Sequence, residues 1–179
     1  MFVALDLPED ARARLADWRD QLVAGRDDLR PVAPEALHVT LAFLGWQDES
    51  AAEAISAVAF GAGAEIAAPV LRARAVRPLP PRNPRLFALD LHDEAGRASA
   101  LQGALSDTLA ARRWYRPETR PFWPHVTLAR VKRGERRAAG LGGPPAPGDP
   151  FRAGRLTLYR STLRPQGALY EPLAEASLR

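Results

Sequence analysis

The 179-residue sequence contains no cysteine, one methionine and three histidines. The absence of cysteine excludes disulfide bonds and thiolate chemistry and fits a reducing compartment, so we expect a cytoplasmic protein. The most apolar stretch, residues 57–71, is interrupted by Glu65 and a proline and is too short to cross a membrane. Charged residues begin at Asp6, so we also expect no signal peptide.

Several motifs of other enzyme classes are also missing. The sequence has no H-E-x-x-H motif for a metal ion and no G-x-S-x-G turn for a serine nucleophile. The glycine-rich stretch at 140–143 lacks the Lys-Ser/Thr ending of a phosphate-binding loop. We therefore expect no metal site and no cofactor.

Charge is unevenly distributed along the chain. Residues 1–70 carry 5 arginines and 12 acidic residues, a net charge of −7, whereas residues 71–179 carry 20 basic and 9 acidic residues, a net charge of +11. The second part is therefore the better contact for a polyanion such as RNA. A compositional bias toward arginine is an alternative explanation of the excess and stays open, because 24 of the 25 basic residues are arginine.

Two short motifs occur twice and in the same order. The pentad H-V-T-L-A at His38–Ala42 recurs at His125–Ala129, 87 residues later. The tetrad A-L-D-L at Ala4–Leu7 recurs at Ala88–Leu91, 84 residues later. Two ordered matches at nearly equal offsets predict two similar half-structures.

The pentad has the alternation of a β-strand. Successive side chains of a strand point to opposite faces, so His38 and Thr40 share one face while Val39 and Leu41 share the other. The second copy places His125 beside Thr127 in the same way. A histidine on a strand is often only a polar surface residue, but its preservation with a threonine in two otherwise different halves favours a functional pair.

The pattern predicts an α+β fold in a single domain, residues 1–179. We expect two pseudo-symmetric lobes, each mainly an antiparallel sheet with outer helices, that form a central cleft. Strands are expected at 2–7, 30–33, 37–44, 69–76, 86–91, around 125–129, 151–163 and 168–178, and helices at 8–25, 48–60 and 94–112. A proline-rich loop is expected at 78–85, a basic turn at 132–137, a mobile loop at 140–150 and a surface position for His92.

Two imidazoles facing one cleft suit displacement at phosphorus. One can take a proton from the attacking oxygen while the other protonates the leaving oxygen on the opposite side. Imidazole serves either role near neutral pH, because its unperturbed pKa is about 6.5. The two threonine hydroxyls can donate hydrogen bonds to the phosphate oxygens.

These motifs resemble the 2H phosphoesterase superfamily and, more narrowly, the bacterial RNA 2′,3′-cyclic phosphodiesterases, long called 2′-5′ RNA ligases. The resemblance covers nearly the whole chain. It includes an opening F-V-A-L-D-L-P, then L-H-V-T-L-A-F-L-G, then P-H-V-T-L-A-R, and finally S-T-L at 161–163 and G-A-L-Y at 167–170.

The resemblance implies metal-independent opening of a 2′,3′-cyclic phosphate at an RNA end, leaving a 2′-phosphate. By motif position it implies that His38 is the general acid and His125 the general base for water. It also implies that Thr40, Thr127 and Arg130 hold the phosphate. Strict alternation would put Arg130 on the face opposite His125, so a site role requires a bulge, the end of the strand or a bent side chain.

Further substrate contacts are candidates only: Phe43, Arg82, Arg85, Phe122 and Trp123. The expected partner is RNA with a 2′,3′-cyclic phosphate end, bound by a monomer with no membrane contact. Three alternatives remain open, namely a small-molecule cyclic phosphodiesterase, a reversible 2′-5′ RNA ligase, and an RNA-binding module without catalysis.

Overall fold

The computed structural model describes residues 1–132, 134–135, 140–164 and 167–179. In this part of the chain there are nine β-strands and three α-helices. The strands are β1 (Phe2–Asp6), β2 (Leu29–Pro31), β3 (His38–Phe43), β4 (Val70–Leu79), β5 (Leu86–Glu94), β6 (His125–Val131), β7 (Phe151–Arg152), β8 (Arg155–Arg164) and β9 (Gly167–Ser177). The helices are α1 (Glu9–Val23), α2 (Ala52–Gly63) and α3 (Arg97–Ala111), and none of these three is long and apolar enough to cross a membrane.

The strands form one antiparallel sheet in the order β7-β4-β5-β6-β3-β1-β8-β9, with β2 paired to β6. The α+β prediction is confirmed. The two predicted halves are not separate sheets, however, because β3 and β6 join them in the middle of a single sheet through the pair Val39 and Val126.

The sheet curls until its two ends lie close together. Strand β7 pairs with β4 at one end of the sheet, yet β8 pairs with β1 in the other half, and only Ala153 and Gly154 separate β7 from β8. The Ala153 amide donates to the Pro69 carbonyl (2.9 Å), and the Gly154 carbonyl accepts from the Leu178 amide (2.8 Å). The single strand predicted for 151–163 is therefore wrong, because its two parts pair with strands in different halves.

The repeated motifs mark equivalent strand pairs. In the first half β1 pairs with β3 and sets Asp6 opposite His38. In the second half β5 pairs with β6 and sets Asp90 opposite His125. Each strand pair is interrupted in sequence by one long helix, α1 or α3, as the repeat predicted.

The core lies on the face of the sheet that the valines and leucines of the pentads occupy. Val39, Leu41, Val126 and Leu128 are at most 3% exposed, whereas the histidines and threonines between them are half-buried. The period-two prediction is confirmed. Apolar residues of the helices complete this core: Leu15, Trp18 and Leu22 of α1, Ile55 and Ala59 of α2, and Leu101, Leu105 and Leu109 of α3. Each fully buried leucine contributes about 1.5–3 kcal/mol of transfer free energy.

Strand β5 is longer, and α3 shorter, than the sequence predicted. The Asp93 carboxylate accepts hydrogen bonds from the amides of Ala98 and Ser99, both 2.9 Å, and so satisfies the first turn of α3. The helix therefore begins at Arg97 rather than near Glu94. His92, predicted to follow the strand, lies within it and is exposed.

The remaining boundaries differ by a few residues. Strand β4 continues to Leu79, so the proline-rich loop is shorter than predicted, and β2 begins at Leu29. Asp48 caps a short 3-10 turn at Glu49–Ala51 that leads into α2, accepting from the Ser50 amide (2.9 Å). Part of the predicted basic turn, residues 133, 136 and 137, lies outside the described residues.

The stretch 140–150 has no regular secondary structure, as its glycines and prolines predicted. It packs along the protein, because the Trp18 indole donates to the Pro144 carbonyl (3.1 Å) and the Arg72 guanidinium donates to the Gly148 carbonyl (2.9 Å). Its mobility stays a prediction.

Candidate active site

The site lies where the two halves of the sheet meet. Because β3 and β6 run antiparallel around the Val39–Val126 pair, His38 lies toward Thr127 and Thr40 lies toward His125. All four polar side chains are on the face opposite the core. The two imidazoles therefore lie diagonally across the junction, each next to the threonine of the other half.

Backbone carbonyls fix the orientation of both imidazole rings. Nδ1 of His38 is 2.8 Å from the Ala36 carbonyl, and Nδ1 of His125 is 2.8 Å from the Trp123 carbonyl. A carbonyl only accepts, so each Nδ1 carries a hydrogen and each neutral ring keeps a lone pair on Nε2. The His38 Nε2 accepts from the Thr40 hydroxyl at 3.0 Å.

A β-bulge brings Arg130 to the site. Ala88 pairs with Thr127 and the preceding residue Phe87 pairs with Ala129, so Leu128 is an extra residue in β6. The bulge shifts the alternation by one position: Ala129 is buried, while Arg130 lines the same cavity as Thr127. Strict alternation, which placed Arg130 on the opposite face, does not hold beyond Leu128, because Leu128 and Ala129 are both buried.

The first half contains the same bulge at the same place. Ala4 pairs with Thr40 and Val3 pairs with Ala42, which leaves Leu41 as the extra residue. Phe43 consequently occupies the position equivalent to Arg130, and it is 65% exposed at the site. At this position the first half thus has the phenyl ring of Phe43 and the second half has the guanidinium of Arg130.

A cavity of about 140 Å³ adjoins these groups. Its polar lining comes from His38, Thr40, Thr127, Arg130, Ser161 and Tyr170. Ser161 and Tyr170 are a cross-strand pair of β8 and β9, so the last hairpin of the chain closes the cavity on the His38 side. A cation and several hydroxyl donors around a small cavity suit a bound phosphate group.

Aromatic rings surround His38. Phe2 stacks on the imidazole at 4.9 Å between ring centroids, and Tyr170 meets it edge-on at 5.3 Å. Burial among these rings is the main reason that the pKa of His38 falls from 6.5 to about 4, although the hydrogen bond to Ala36 and the charge of Asp6 oppose the change. The free protein therefore holds His38 neutral at pH 7.

His125 rests on a different support. The Trp123 ring stacks on it at 4.3 Å, with 15° between the planes, and the Trp123 indole donates to the Asp90 carboxylate at 2.7 Å. Arg77 also binds Asp90, at 2.8 Å. Burial alone would raise the pKa of Asp90, but hydrogen bonds from Trp123 and Arg77 lower it overall, so the carboxylate stays charged.

Asp6 occupies the matching position beside His38 with other partners. Its carboxylate accepts from Arg155 (2.6 Å), Thr157 (2.8 Å) and Tyr159 (2.8 Å), all on β8. Burial and the neighbouring charge of Asp6 raise the pKa of Tyr159. Asp6 and Asp90 are not among the site residues predicted from the sequence, although the repeated A-L-D-L tetrad contained the signal.

A larger depression of about 610 Å³ opens on the His125 side. Three of the candidate contacts, Phe43, Phe122 and Trp123, line it together with His125. One face of Trp123 is already covered by His125. The polar lining of this depression includes Gln102, Ser106, Glu118 and Arg120.

The two arginines of the proline-rich loop differ in position. Arg85 lines a separate groove that shares Arg130 with the site, whereas Arg82 is exposed and lines neither the cavity at His38 nor this groove. Among the described residues, no group of three or more His, Cys, Asp or Glu side chains is placed to hold a metal ion.

Comparison with known proteins matches residues 7–163 of the chain to the 2′-5′ RNA ligase superfamily. The chain is 32% identical to an RNA 2′,3′-cyclic phosphodiesterase of Thermus thermophilus over 186 residues, covering 100% of this chain and 90% of the relative. It is 30% identical to an RNA 2′,3′-cyclic phosphodiesterase of Escherichia coli over 188 residues, covering 99% and 96%.

The fold is also similar to a crystal structure of Escherichia coli LigT complexed with 3′-AMP. The TM-score is 0.77 at 30% identity, over 99% of this chain and 96% of LigT. The family resemblance predicted from the paired motifs is confirmed.

Proposed function

Because this chain belongs to the 2′-5′ RNA ligase superfamily, we propose that it hydrolyses 2′,3′-cyclic phosphate ends of RNA to 2′-phosphates without a metal ion. One observation carries the proposal. His38 and His125 lie diagonally across the β3–β6 junction with both Nδ1 atoms bound to carbonyls. His38 lines a cavity with two threonines and Arg130, and His125 lines the larger depression, which shares Thr40 and Phe43 with that cavity. The names of the two relatives support the same reaction.

The two imidazoles divide the proton transfers of an in-line displacement. Nε2 of His125 takes a proton from water as the water oxygen bonds to phosphorus, and the bond from phosphorus to the 3′ oxygen breaks. Nε2 of His38 donates a proton to the departing 3′ oxygen. The product carries a 2′-phosphate and a 3′-hydroxyl, and the proton gained by His125 returns to solvent. Such acid–base catalysis contributes about 10²–10⁴-fold to a rate.

Thr40, Thr127 and Arg130 hold the phosphate. Their donors converge on the cavity from both halves of the sheet, where negative charge grows on the phosphate oxygens. In the free protein the Thr40 hydroxyl is engaged with His38, so it must turn from Nε2 toward a phosphate oxygen when the substrate enters. This exchange leaves Nε2 of His38 available to the leaving oxygen.

The acid role requires His38 to gain a proton. Its pKa of about 4 leaves the ring neutral at pH 7 until substrate binds. An anionic phosphate beside the ring favours the imidazolium form, because an opposite charge within about 4–6 Å raises the pKa of a base. Substrate binding and proton uptake are therefore coupled in this proposal.

Phe43 and Phe122 are the candidate surfaces for the terminal nucleobase. Phe43 lines both the small cavity and the larger depression, and its ring is exposed. Stacking on an aromatic ring contributes about 1–3 kcal/mol per base and depends little on the base. Trp123 serves instead as the support for His125.

The test uses a short RNA with a 2′,3′-cyclic phosphate end, incubated with the protein in excess EDTA. The expected product is RNA with a 2′-phosphate, identified by chromatography and by its sensitivity to phosphatase. His38→Ala and His125→Ala should each lower kcat by about 10²–10⁴-fold. The matched control is His92→Ala, because His92 is exposed outside the site.

The outcomes separate the proposal from the open alternatives. Full activity of either single variant would overturn the acid–base roles. Turnover of cyclic mononucleotides with none of the RNA would favour a small-molecule enzyme. Binding of RNA without turnover by the unaltered protein would favour an RNA-binding module, and joining of two RNA ends would favour the ligase.

A further inference from the structure

A basic groove begins at the active-site arginine and leads away from the histidines. Its volume is about 660 Å³, and its charged and polar lining consists of Arg30, Asn83, Arg85, Arg130, Lys132 and Glu135. Arg130 lines both this groove and the small cavity beside His38. The groove thus shares Arg130 with the proposed phosphate site.

The cations of the groove come from separate segments of the chain. Arg30 of β2 pairs with Arg130 of β6, which also pairs with the first residue of β5. The Val131 amide donates to the Arg85 carbonyl (2.9 Å), which fixes the end of the proline-rich loop beside β6. Backbone pairing therefore brings together basic residues that lie in three separate segments of the sequence.

The groove differs from the other arginine clusters of the sheet in its excess of cations over carboxylates. Elsewhere arginines face acidic partners, such as Arg72 with Glu94 and Arg160 with Glu171. Among the residues that the structure describes, no carboxylate forms an ion pair with Arg85 or Lys132, and Glu135 is the one acidic residue among four cations in the lining. Such a surface attracts a polyanion.

We propose that this groove is a second phosphate subsite, which binds the phosphodiester next to the cyclic end of an RNA chain. The proposal rests on the proposed function, since it places the cyclic phosphate between the histidines and Arg130. An RNA chain repeats its phosphate at every nucleotide, so a strand that enters along the groove brings its next phosphate to Arg85 and Lys132. The subsite selects an oligonucleotide end over a cyclic mononucleotide, which has no such phosphate.

The test compares two substrates: a cyclic mononucleotide and a trinucleotide with a 2′,3′-cyclic phosphate end. The double variant Arg85→Ala/Lys132→Ala should lower kcat/KM for the trinucleotide by about tenfold or more, mainly through KM. The double variant should leave kcat/KM for the mononucleotide within about twofold of that of the unaltered protein, because the mononucleotide has no phosphate for the groove. The slope of log(kcat/KM) against log[salt] for the trinucleotide should become shallower by about 0.7, the contribution of one phosphate contact on a single strand.

The matched control is Arg97→Ala/Arg112→Ala, which removes the same charge from exposed positions at the two ends of α3. This variant should leave kcat/KM for both substrates within about twofold of that of the unaltered protein. Equal losses on the two substrates in the groove variant, or no loss on either, would overturn the subsite.

A binding measurement separates this proposal from the proposed function. A labelled trinucleotide with a 3′-phosphate should bind the groove variant about tenfold more weakly than the unaltered protein, whether or not the protein turns over cyclic ends. Equal binding would overturn the subsite. Failure of the unaltered protein to hydrolyse either cyclic substrate would overturn only the proposed function.

Discussion

The half of the sheet around His38 and the half around His125 share a backbone but not an environment. In both, a buried aspartate lies opposite the histidine on the neighbouring strand, and an extra leucine bulges the strand after the threonine. In both, Nδ1 donates to the carbonyl two residues earlier. The strand pair therefore sets the position and orientation of each imidazole.

The side chains around each imidazole then make the halves unequal. His38 lies among Phe2, Tyr159 and Tyr170, whereas His125 lies on Trp123, which is tied to a charged Asp90. At the position after the bulge, the first half has Phe43 and the second half has Arg130. Duplication thus supplies two similar bases, and a few neighbouring positions differentiate them.

The largest expected difference between the halves is at the position after the bulge. Arg130→Ala should lower kcat/KM by about 10²–10³-fold, because it removes the charged donor to the phosphate oxygens in the transition state. Phe43→Ala should lower kcat/KM by about tenfold, mainly through KM, because it removes a stacking surface. Steady-state kinetics on the cyclic-ended RNA measures both.

Arg130→Lys is the matched variant for charge. It should recover part of the loss, since a lysine keeps the charge but not the paired donors of the guanidinium. A loss below about threefold in Arg130→Ala would show that the bulge does not serve phosphate binding.

The second comparison concerns proton affinity at His38. In the free protein its ring should not titrate above pH 5, because burial holds the pKa near 4. A bound 2′-mononucleotide, which carries the product phosphate, should raise that pKa by about two units or more. Nuclear magnetic resonance of the ring nitrogens follows the titration, and the ring signals of exposed His92 should not respond to the ligand.

Either of two results would alter the assignment of roles. Titration of His38 near 6.5 in the free protein would mean that the aromatic rings do not exclude water from it. A pKa that stays near 4 with the phosphate bound would remove His38 as the acid and favour the reversed roles.

The third comparison sets Asp90 against Asp6. Asp90→Leu should lower kcat by about tenfold with little change in KM, because Trp123 loses the acceptor that holds its ring against His125. Asp90→Asn keeps an acceptor oxygen and should recover most of the activity. The upfield shift that Trp123 stacking imposes on the His125 ring protons should disappear in Asp90→Leu and persist in Asp90→Asn.

Asp6 should behave differently, because the ring that stacks directly on His38 is Phe2, whereas Tyr159, the one aromatic donor to Asp6, is tilted and farther from His38, at 6.2 Å. Asp6→Leu should chiefly lower the free energy of unfolding, since it leaves the fully buried Thr157 hydroxyl without its acceptor. If Asp90→Leu lowered the melting temperature without changing kcat or the His125 signals, Asp90 would be a structural residue only.

The parts of the site that depend on one strand were predictable from the sequence. The alternation of H-V-T-L placed His38 with Thr40 and His125 with Thr127 on the face away from the core, and the structure has this arrangement. The duplicated motif predicted two related halves. Both inferences need only the two-residue period of a strand.

The rest depends on pairing between distant segments. The pentads are identical, and nothing in their letters indicates a bulge, which is visible only in the register against β1 and β5. Phe2 and Tyr170 reach His38 from opposite ends of the chain, so no local pattern predicts its aromatic surroundings. The curl that separates β7 from β8 likewise depends on which strand each segment pairs with.

The smallest expected effect is on stability at mildly acidic pH. The folded protein binds a proton at His38 only near pH 4, whereas the unfolded chain binds it near pH 6.5. The unfolded state thus binds more protons between these values, and the free energy of unfolding falls as the pH is lowered through this window.

His38→Gln removes this contribution. Urea denaturation should therefore show the unaltered protein losing about 1 kcal/mol more than the variant between pH 6.5 and 4, the figure being reduced for the partial exposure of the ring. Above pH 7 the two curves of unfolding free energy against pH should run parallel. In the acidic window the carboxylates titrate in both proteins, so their contribution cancels in the difference. Parallel curves through the acidic window as well would mean that folding does not lower the proton affinity of His38, and the aromatic rings around it would then have no effect on its protonation in the free protein.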